Sequence, residues 1–206
     1  VAGAFVITLM LLASLAANDY HATIVPLFSW IYIPGAELHV PWAMQIDTLS
    51  VTMLLVVTGV GSLIHIYAIG YMHGDPNFSR FFAYFSLFIF FMLILVTGNN
   101  YLMLFVGWEG VGLCSYLLIS FWFTDEANAA AGKKAFVVNR IGDFGFLLGM
   151  FLIGATLLPH LGGGEGLLSF RVLQQHAGVL APVATAICLL LFVGATGKSA
   201  QIPLFV

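Results

Sequence analysis

The chain has 206 residues, of which 61% are hydrophobic and only 7% are charged. A water-soluble domain carries about a quarter charged residues, so most of this chain must be surrounded by lipid. A net charge of −3 provides no basic surface, and nucleic acid is not expected as a partner. Composition therefore predicts an integral protein of the lipid bilayer without a soluble domain.

Six apolar runs predict an all-α, polytopic transmembrane helix bundle with about six spans. They cover residues 1–17, 47–70, 80–97, 101–123, 135–158 and 179–205. The first is short, whereas the longest reach the ~20 residues that cross about 30 Å of hydrocarbon. We expect residues 1–206 to form a single transmembrane region, with 18–46 as a loop. The start without Met and the end beside an apolar run lead us to expect a piece of a longer protein.

The breaks between the runs carry local signals. Arg80, Lys133 and Lys134 place the loops 71–80 and 124–134 on the cytoplasmic side, because cytoplasmic loops are enriched in Lys and Arg. Asp47 offers a helix N-cap before the second run. Gly145 and Gly149 predict a close approach by another helix. The glycines at 162–164 predict a flexible turn.

Three ionisable residues lie deep inside predicted spans: Glu109, Asp143 and Lys198. Each would cost about 2.5–3.5 kcal/mol at the bilayer centre if it faced lipid, so each must face protein or water. Arg140 lies three residues before Asp143 and a turn and a half inside its span, so it either pairs with Asp143 on one helix face or snorkels to the interface. The four charges are either structural ion pairs or a path for protons, and we favour the path because apolar replacements of buried pairs are often stabilising.

The neighbours of these residues support a polar interior. Small or polar residues recur on the helix face of Glu109, at Gly112, Tyr116 and Ser120. Around Lys198, the residues Gly194, Gly197 and Pro203 weaken the helix and predict an interruption.

No catalytic, cofactor-binding or metal-binding constellation appears in the sequence. Cys114 and Cys188 sit in apolar runs and are interpreted as small packing residues. His65 is the one histidine well inside a span, and a structural role is favoured over a proton relay. A haem protein would need paired histidines inside the membrane, and these are absent from the sequence.

Five sequence blocks identify a family resemblance. They are Thr58-Gly59-Val60-Gly61, Ser79-Arg80-Phe81-Phe82-Ala83-Tyr84, Gly107-Trp108-Glu109-Gly110-Val111-Gly112, Asn139-Arg140-Ile141-Gly142-Asp143 and Gly197-Lys198-Ser199-Ala200-Gln201. In this order they resemble the largest antiporter-like membrane subunit of NADH:quinone oxidoreductase, respiratory complex I, of the L or 5 type. The resemblance runs from about residue 45 to the end.

The resemblance implies more than the spacing does. The family's pump unit has two inverted five-helix repeats, each with a broken helix, and this chain would hold the first repeat in part. By matching motif, Glu109 and Lys198 would be the family's paired proton-channel residues. Asp143 and Arg140 would match the charged motif of the neighbouring helix. The implied function is proton translocation coupled to quinone reduction elsewhere in the complex.

The same resemblance implies the protein's surroundings. NADH, FMN, Fe–S clusters and quinone would lie in other subunits, with no redox chemistry in this chain. Its partners would be other membrane subunits of complex I, in a bacterial plasma membrane in preference to a mitochondrial inner membrane. The large subunit of multisubunit Na⁺/H⁺ antiporters, which shares the fold, is an alternative. A structural scaffold without translocation is another.

Overall fold

The computed structural model describes residues 1–34, 38–161 and 166–205 and consists mainly of helices. Its elements are α1 (Ala2–Ala17), β1 (Thr23–Ile33), β2 (Leu38–Ile46), α2 (Thr48–Tyr71), α3 (Phe78–Thr97), α4 (Tyr101–Ile119), α5 (Glu126–Leu157), α6 (Phe170–Gln175), α7 (Ala177–Leu180) and α8 (Ala184–Ser199). Five helical segments of the described part are long and apolar enough to cross a membrane: α2, α3, α4, α5 with the turn after it, and the segment Ala177–Ser199, which contains α7 and α8; α1 is shorter. The predicted helical membrane bundle is confirmed. The turn predicted at 162–164 lies outside the described residues.

Two antiparallel strands occupy most of the stretch 18–46, so its interpretation as a loop is wrong. The pairing runs from Thr23 opposite Ile46 to Ile33 opposite Leu38, with two irregularities in register. Both strands are rich in β-branched and aromatic residues, which favour a pleated, extended backbone. Neither strand contains an apolar run of the length that a membrane-spanning helix needs. A search for such runs therefore leaves this stretch without a predicted helix or strand.

The start of α2 follows the predicted N-cap. The side chain of Asp47 accepts a hydrogen bond from the backbone N–H of Ser50 at 2.7 Å, and the Ser50 hydroxyl accepts one from the backbone N–H of Asp47 at 2.8 Å. This reciprocal capping box satisfies two backbone donors that the first turn would otherwise leave without partners.

The helix α5 begins about nine residues before the predicted apolar run. The loop predicted at 124–134 is therefore wrong over most of its length. The Asp125 side chain caps the helix by accepting from the N–H of Ala127 at 2.9 Å. The alanine-rich segment 127–131 has high helix propensity, so the helix continues beyond the apolar region.

The helix α8 ends directly after Lys198, which agrees with the predicted interruption. Ser199 is its last residue, and Ala200 adopts a left-handed conformation with φ +49°. An L-residue in that conformation cannot continue an α-helix. Lys198 therefore projects from the final turn.

Glycine-lined faces bring the helices of the bundle together. Gly145 and Gly149 of α5 pack on α8, where an added Cβ would lie 2.8 Å from Val193 and 3.0 Å from Leu191 respectively. The predicted close approach is thus confirmed. On α4, an added Cβ at Gly107 would lie 2.5 Å from the backbone nitrogen of Leu95 on α3. The position of α4 is therefore set by direct backbone contact with α3.

Both ends of α4 are tied to neighbouring segments. At its start, Asn100 caps the helix by accepting from the N–H of Met103 at 2.8 Å, and its amide donates to the carbonyl of Pro41 in β2 at 3.0 Å. Beyond its other end, the carbonyl of Phe121 accepts from the Arg80 guanidinium at 3.3 Å. The indole of Trp122 donates to Asp75 at 2.9 Å.

Candidate functional site

The four charged residues singled out from the sequence lie on three helices. Glu109 is on α4, Arg140 and Asp143 are on α5, and Lys198 is on the last turn of α8. Asp143 is only 3% exposed. The side chains of Glu109 and Arg140 are 20% and 46% exposed. Asp143 thus occupies the interior, whereas Arg140 lies on the outer surface of the described bundle.

Glu109 and Arg140 form an ion pair between α4 and α5. The predicted pairing of Arg140 with Asp143 is therefore wrong. The i,i+3 spacing places both on neighbouring positions of α5, but the guanidinium extends over the ring of Phe136, 4.7 Å from its centroid, and meets α4. Tertiary contact decides the partner here.

Trp108 connects the other two charges. Its indole nitrogen donates to Oδ1 of Asp143 at 2.6 Å. Its backbone carbonyl accepts from Nζ of Lys198 at 2.9 Å. One residue of α4 therefore contacts an acid on α5 and a base on α8.

Sequence reasoning did not single out Trp108, although a signal was present. A tryptophan placed mid-span has an indole N–H that needs an acceptor, because lipid offers none. The criterion of a charge inside an apolar run identifies Glu109 but not its neighbour Trp108, whose side chain is uncharged.

Lys198 is not in ion-pair contact with either acid. Among the described residues, neither Glu109 nor Asp143 has an oxygen within 4.0 Å of Nζ; the single ion pair is the one made by Arg140. The contact between Glu109 and Lys198 that the resemblance implies is thus not present in this structure.

Gly112 allows Lys198 to approach the backbone of α4. A Cβ added at Gly112 would lie 2.6 Å from Nζ of Lys198, closer than real Cβ contacts. The same built atom would lie 4.0 Å from the amide of Asn139 on α5. Gly112 therefore leaves room for the ammonium between α4 and α5.

The predicted polar face of α4 does turn toward α5. Tyr116 lies against Phe136, with ring centroids 5.5 Å apart. The side chain of Ser120 lies 2.8 Å from a Cβ added at Gly132. The hydroxyl of Ser120, the residue that follows α4, donates to the carbonyl of Tyr116 in the last turn of the helix.

His65 lies apart from this site, between α2 and α3. Its Nδ1 is 2.8 Å from the carbonyl of Gly61, and its ring stacks on Phe85 with centroids 3.9 Å apart. These contacts fit a packing role. Within the described residues, no group of three His, Cys, Asp or Glu side chains is placed to hold a metal ion.

Two family models match the chain. One, described as "NADH-Ubiquinone oxidoreductase (complex I), chain 5 N-terminus", matches residues 30–82. The other, described as "NADH:quinone oxidoreductase/Mrp antiporter, TM", matches residues 98–206. The second match includes all four charged residues and Trp108.

Curated relatives are similar along nearly the whole chain. NADH-quinone oxidoreductase subunit L of Mycobacterium tuberculosis is 48% identical over 206 residues, covering 98% of this chain and 31% of the relative. NADH-ubiquinone oxidoreductase chain 5 of Allomyces macrogynus is 45% identical over 191 residues, covering 91% of this chain and 28% of the relative. The chain thus spans about three-tenths of the length of these relatives.

Solved structures share the fold at lower identity. The Mrp complex from Dietzia sp. DQ12-45-1b has a TM-score of 0.65 and 23% identity, covering 99% of this chain and 22% of that chain. The membrane-bound sulfane sulfur reductase, an archaeal respiratory membrane complex, has a TM-score of 0.64 and 18% identity, covering 95% and 28%. At these identities the likeness concerns the fold alone.

Proposed function

This chain belongs to the NADH:quinone oxidoreductase/Mrp antiporter transmembrane family, and we propose that it forms part of a proton-translocating membrane subunit of NADH:quinone oxidoreductase. Protons pass by way of the four charged residues, Glu109, Arg140, Asp143 and Lys198. Translocation is coupled to quinone reduction elsewhere in the complex. The chain itself does no redox chemistry. The cofactors NADH, FMN and Fe–S clusters, together with quinone, belong to other subunits, and its partners are the other membrane subunits.

One observation carries this proposal. A buried carboxyl, Asp143, and a lysine, Lys198, are both hydrogen-bonded to Trp108, and the described residues show no ion-pair contact between the two. Removing one member of a tight buried pair strands the other charge, at about 3–5 kcal/mol. Groups that are near but not paired can gain and lose protons at lower cost. Relatives named subunit L and chain 5 at 45–48% identity support the same assignment.

Two substitutions in the full-length, assembled complex test the proposal. Glu109→Gln and Lys198→Ala remove an ionisable group each, and we expect assembly to persist while proton pumping falls. Pumping is measured by quenching of a pH-sensitive dye in inverted membrane vesicles supplied with NADH. Matched controls are Glu126→Gln and Lys134→Ala, because both residues are exposed at the start of α5.

The outcomes distinguish the proton path from a structural scaffold. Normal pumping in either site variant would contradict the path, provided the controls pump normally as well. Loss of assembly in the site variants alone would favour the structural scaffold.

The proposal places the protein in a bacterial plasma membrane or a mitochondrial inner membrane.

A multisubunit Na⁺/H⁺ antiporter is the second candidate, since the matching family model covers both systems. The two differ in their ion dependence. Proton movement that competes with sodium ions would favour the antiporter. Proton movement that requires NADH and quinone, and is insensitive to sodium, would favour the oxidoreductase.

A further inference from the structure

Among the described residues, Trp108 is the one residue of α4 that is hydrogen-bonded to both Asp143 and Lys198. The contact with Asp143 uses the side-chain N–H, whereas the contact with Lys198 uses the backbone carbonyl. The ring centroid also lies 5.4 Å from Nζ of Lys198, within the range of a cation–π interaction. The side-chain N–H of Trp108 thus contacts Asp143, whereas its backbone carbonyl and its ring both contact Lys198.

Packing fixes the orientation of the indole. Its ring stacks on Phe146 of α5, with centroids 5.2 Å apart and planes inclined by 26°. Phe146 in turn lies against Gly194 of α8, where an added Cβ would be 2.9 Å from the Phe146 Cβ. The stacking on Phe146 and the hydrogen bond to Asp143 together favour one orientation of the ring, in which its N–H is directed at the carboxyl.

The chemistry of the two contacts is complementary. An indole N–H can only donate and therefore stabilises a carboxylate, and a backbone carbonyl can only accept and therefore stabilises an ammonium. Arg140 lies three residues from Asp143 on α5, while its own ion pair is with Glu109. Because Asp143 and Lys198 both contact Trp108, a change in the charge of one alters the Coulomb energy of the other.

We propose that Trp108 is a positioning residue that holds the Asp143 carboxyl and the Lys198 ammonium at a fixed separation and thereby links their protonation. This assignment rests on the proposed proton path. Without the indole N–H, the Asp143 carboxyl loses its observed donor and its fixed distance from Lys198.

The test compares Trp108→Phe, Asp143→Asn and the double variant in the full-length, assembled complex. Trp108→Phe retains an aromatic ring against Phe146 but removes the N–H. Because a hydrogen bond to a charged group is lost, we expect pumping to fall roughly tenfold. The pH dependence of the remaining pumping should also shift.

A double-mutant cycle identifies the partner. If Trp108 acts through Asp143, then Trp108→Phe should cause little further loss in the Asp143→Asn background, because contacting residues have non-additive effects. Fully additive losses would overturn the assignment, as would normal pumping with an unchanged pH dependence in Trp108→Phe.

Two further variants secure these outcomes. Trp122→Phe removes the other tryptophan–aspartate hydrogen bond, that with Asp75, and should leave the pH dependence unchanged. If Trp108→Phe does not assemble, benzothienylalanine at position 108 keeps the ring shape with sulfur in place of N–H.

If Glu109→Gln and Lys198→Ala lower pumping but the Trp108 variants do not, only the positioning role fails. If none of them lowers pumping, the proposed function fails as well.

Discussion

Replacement of Gly112 by alanine should reduce proton pumping while leaving the fold intact. The added Cβ would lie 2.6 Å from Nζ of Lys198, whereas ordinary contacts begin at about 3.4 Å. The ammonium must therefore withdraw by about 0.8 Å, and a movement of that size away from α4 would stretch its 2.9 Å bond to the Trp108 carbonyl beyond hydrogen-bond reach. Because Nζ is the far end of a flexible side chain, it can withdraw without disturbing the packing of α4.

The size of the effect follows from the lost contact. A hydrogen bond to a charged group contributes about 1.5–3 kcal/mol, which corresponds to roughly a tenfold or greater fall in rate if the contact is used in transport. The assay is dye quenching in inverted vesicles, with assembly checked by native electrophoresis of the complex. We expect normal assembly together with the lower rate.

Two other glycines provide comparisons in the same assay. Gly107→Ala places a Cβ 2.5 Å from the backbone of Leu95, which cannot withdraw, so assembly itself should suffer. Gly70→Ala meets nothing within 4 Å and should be neutral in both assays. Normal pumping in Gly112→Ala, or a loss of assembly equal to that of Gly107→Ala, would refute the reasoning.

Two further predictions concern residues outside the spans. Two hydrogen bonds hold the pKa of Asp75 below its usual range, the larger contribution coming from the indole N–H of Trp122 and a smaller one from the backbone N–H of Asn77. The Asp75 carboxylate therefore stabilises the loop contact above about pH 3.9, and this stabilisation is lost as the pH falls through the lowered pKa. In Trp122→Phe the pKa should return toward its usual range, and protection of residues 72–77 from hydrogen exchange should be lost at a higher pH. Asp47→Ala removes the N-cap of α2 and should destabilise the first turn of the helix by about 1 kcal/mol. Amide hydrogen exchange in that turn should become roughly fivefold faster. Asp47→Asn retains a capping side chain and should keep most of the protection. Equal exchange rates in the two Asp47 variants would contradict the capping role.

The existence of the helices could be predicted from the sequence, because a long apolar run has few alternatives in a bilayer. Their ends were harder to predict. The cap at Asp47 has a side-chain signature, but α5 extends to Glu126 on alanine propensity, which an apolar criterion does not detect. The strands between Thr23 and Ile46 rely on β-branched and aromatic residues and on pairing between distant positions, which local composition does not specify.

The positions of the charges could also be predicted, but their partners could not. Spacing correctly placed Arg140 and Asp143 one turn apart on α5. Whether Arg140 meets Asp143 or Glu109 depends on how α4 packs on α5, and that packing involves glycine contacts such as the one between Gly132 of α5 and Ser120 at the end of α4. Trp108 could have been found by asking where its N–H obtains an acceptor inside a span.

The contacts at both ends of α4 limit how the site can rearrange. Sliding this helix along its axis by one turn, about 5.4 Å, would break the bonds made by Asn100 and by Phe121 together. Lys198, in contrast, reaches the site through a flexible side chain at the end of α8. A change in the distance between Lys198 and the acids is therefore expected to require a rotamer change of the lysine that breaks its bond to the Trp108 carbonyl, and not a piston movement of the helix that carries Glu109.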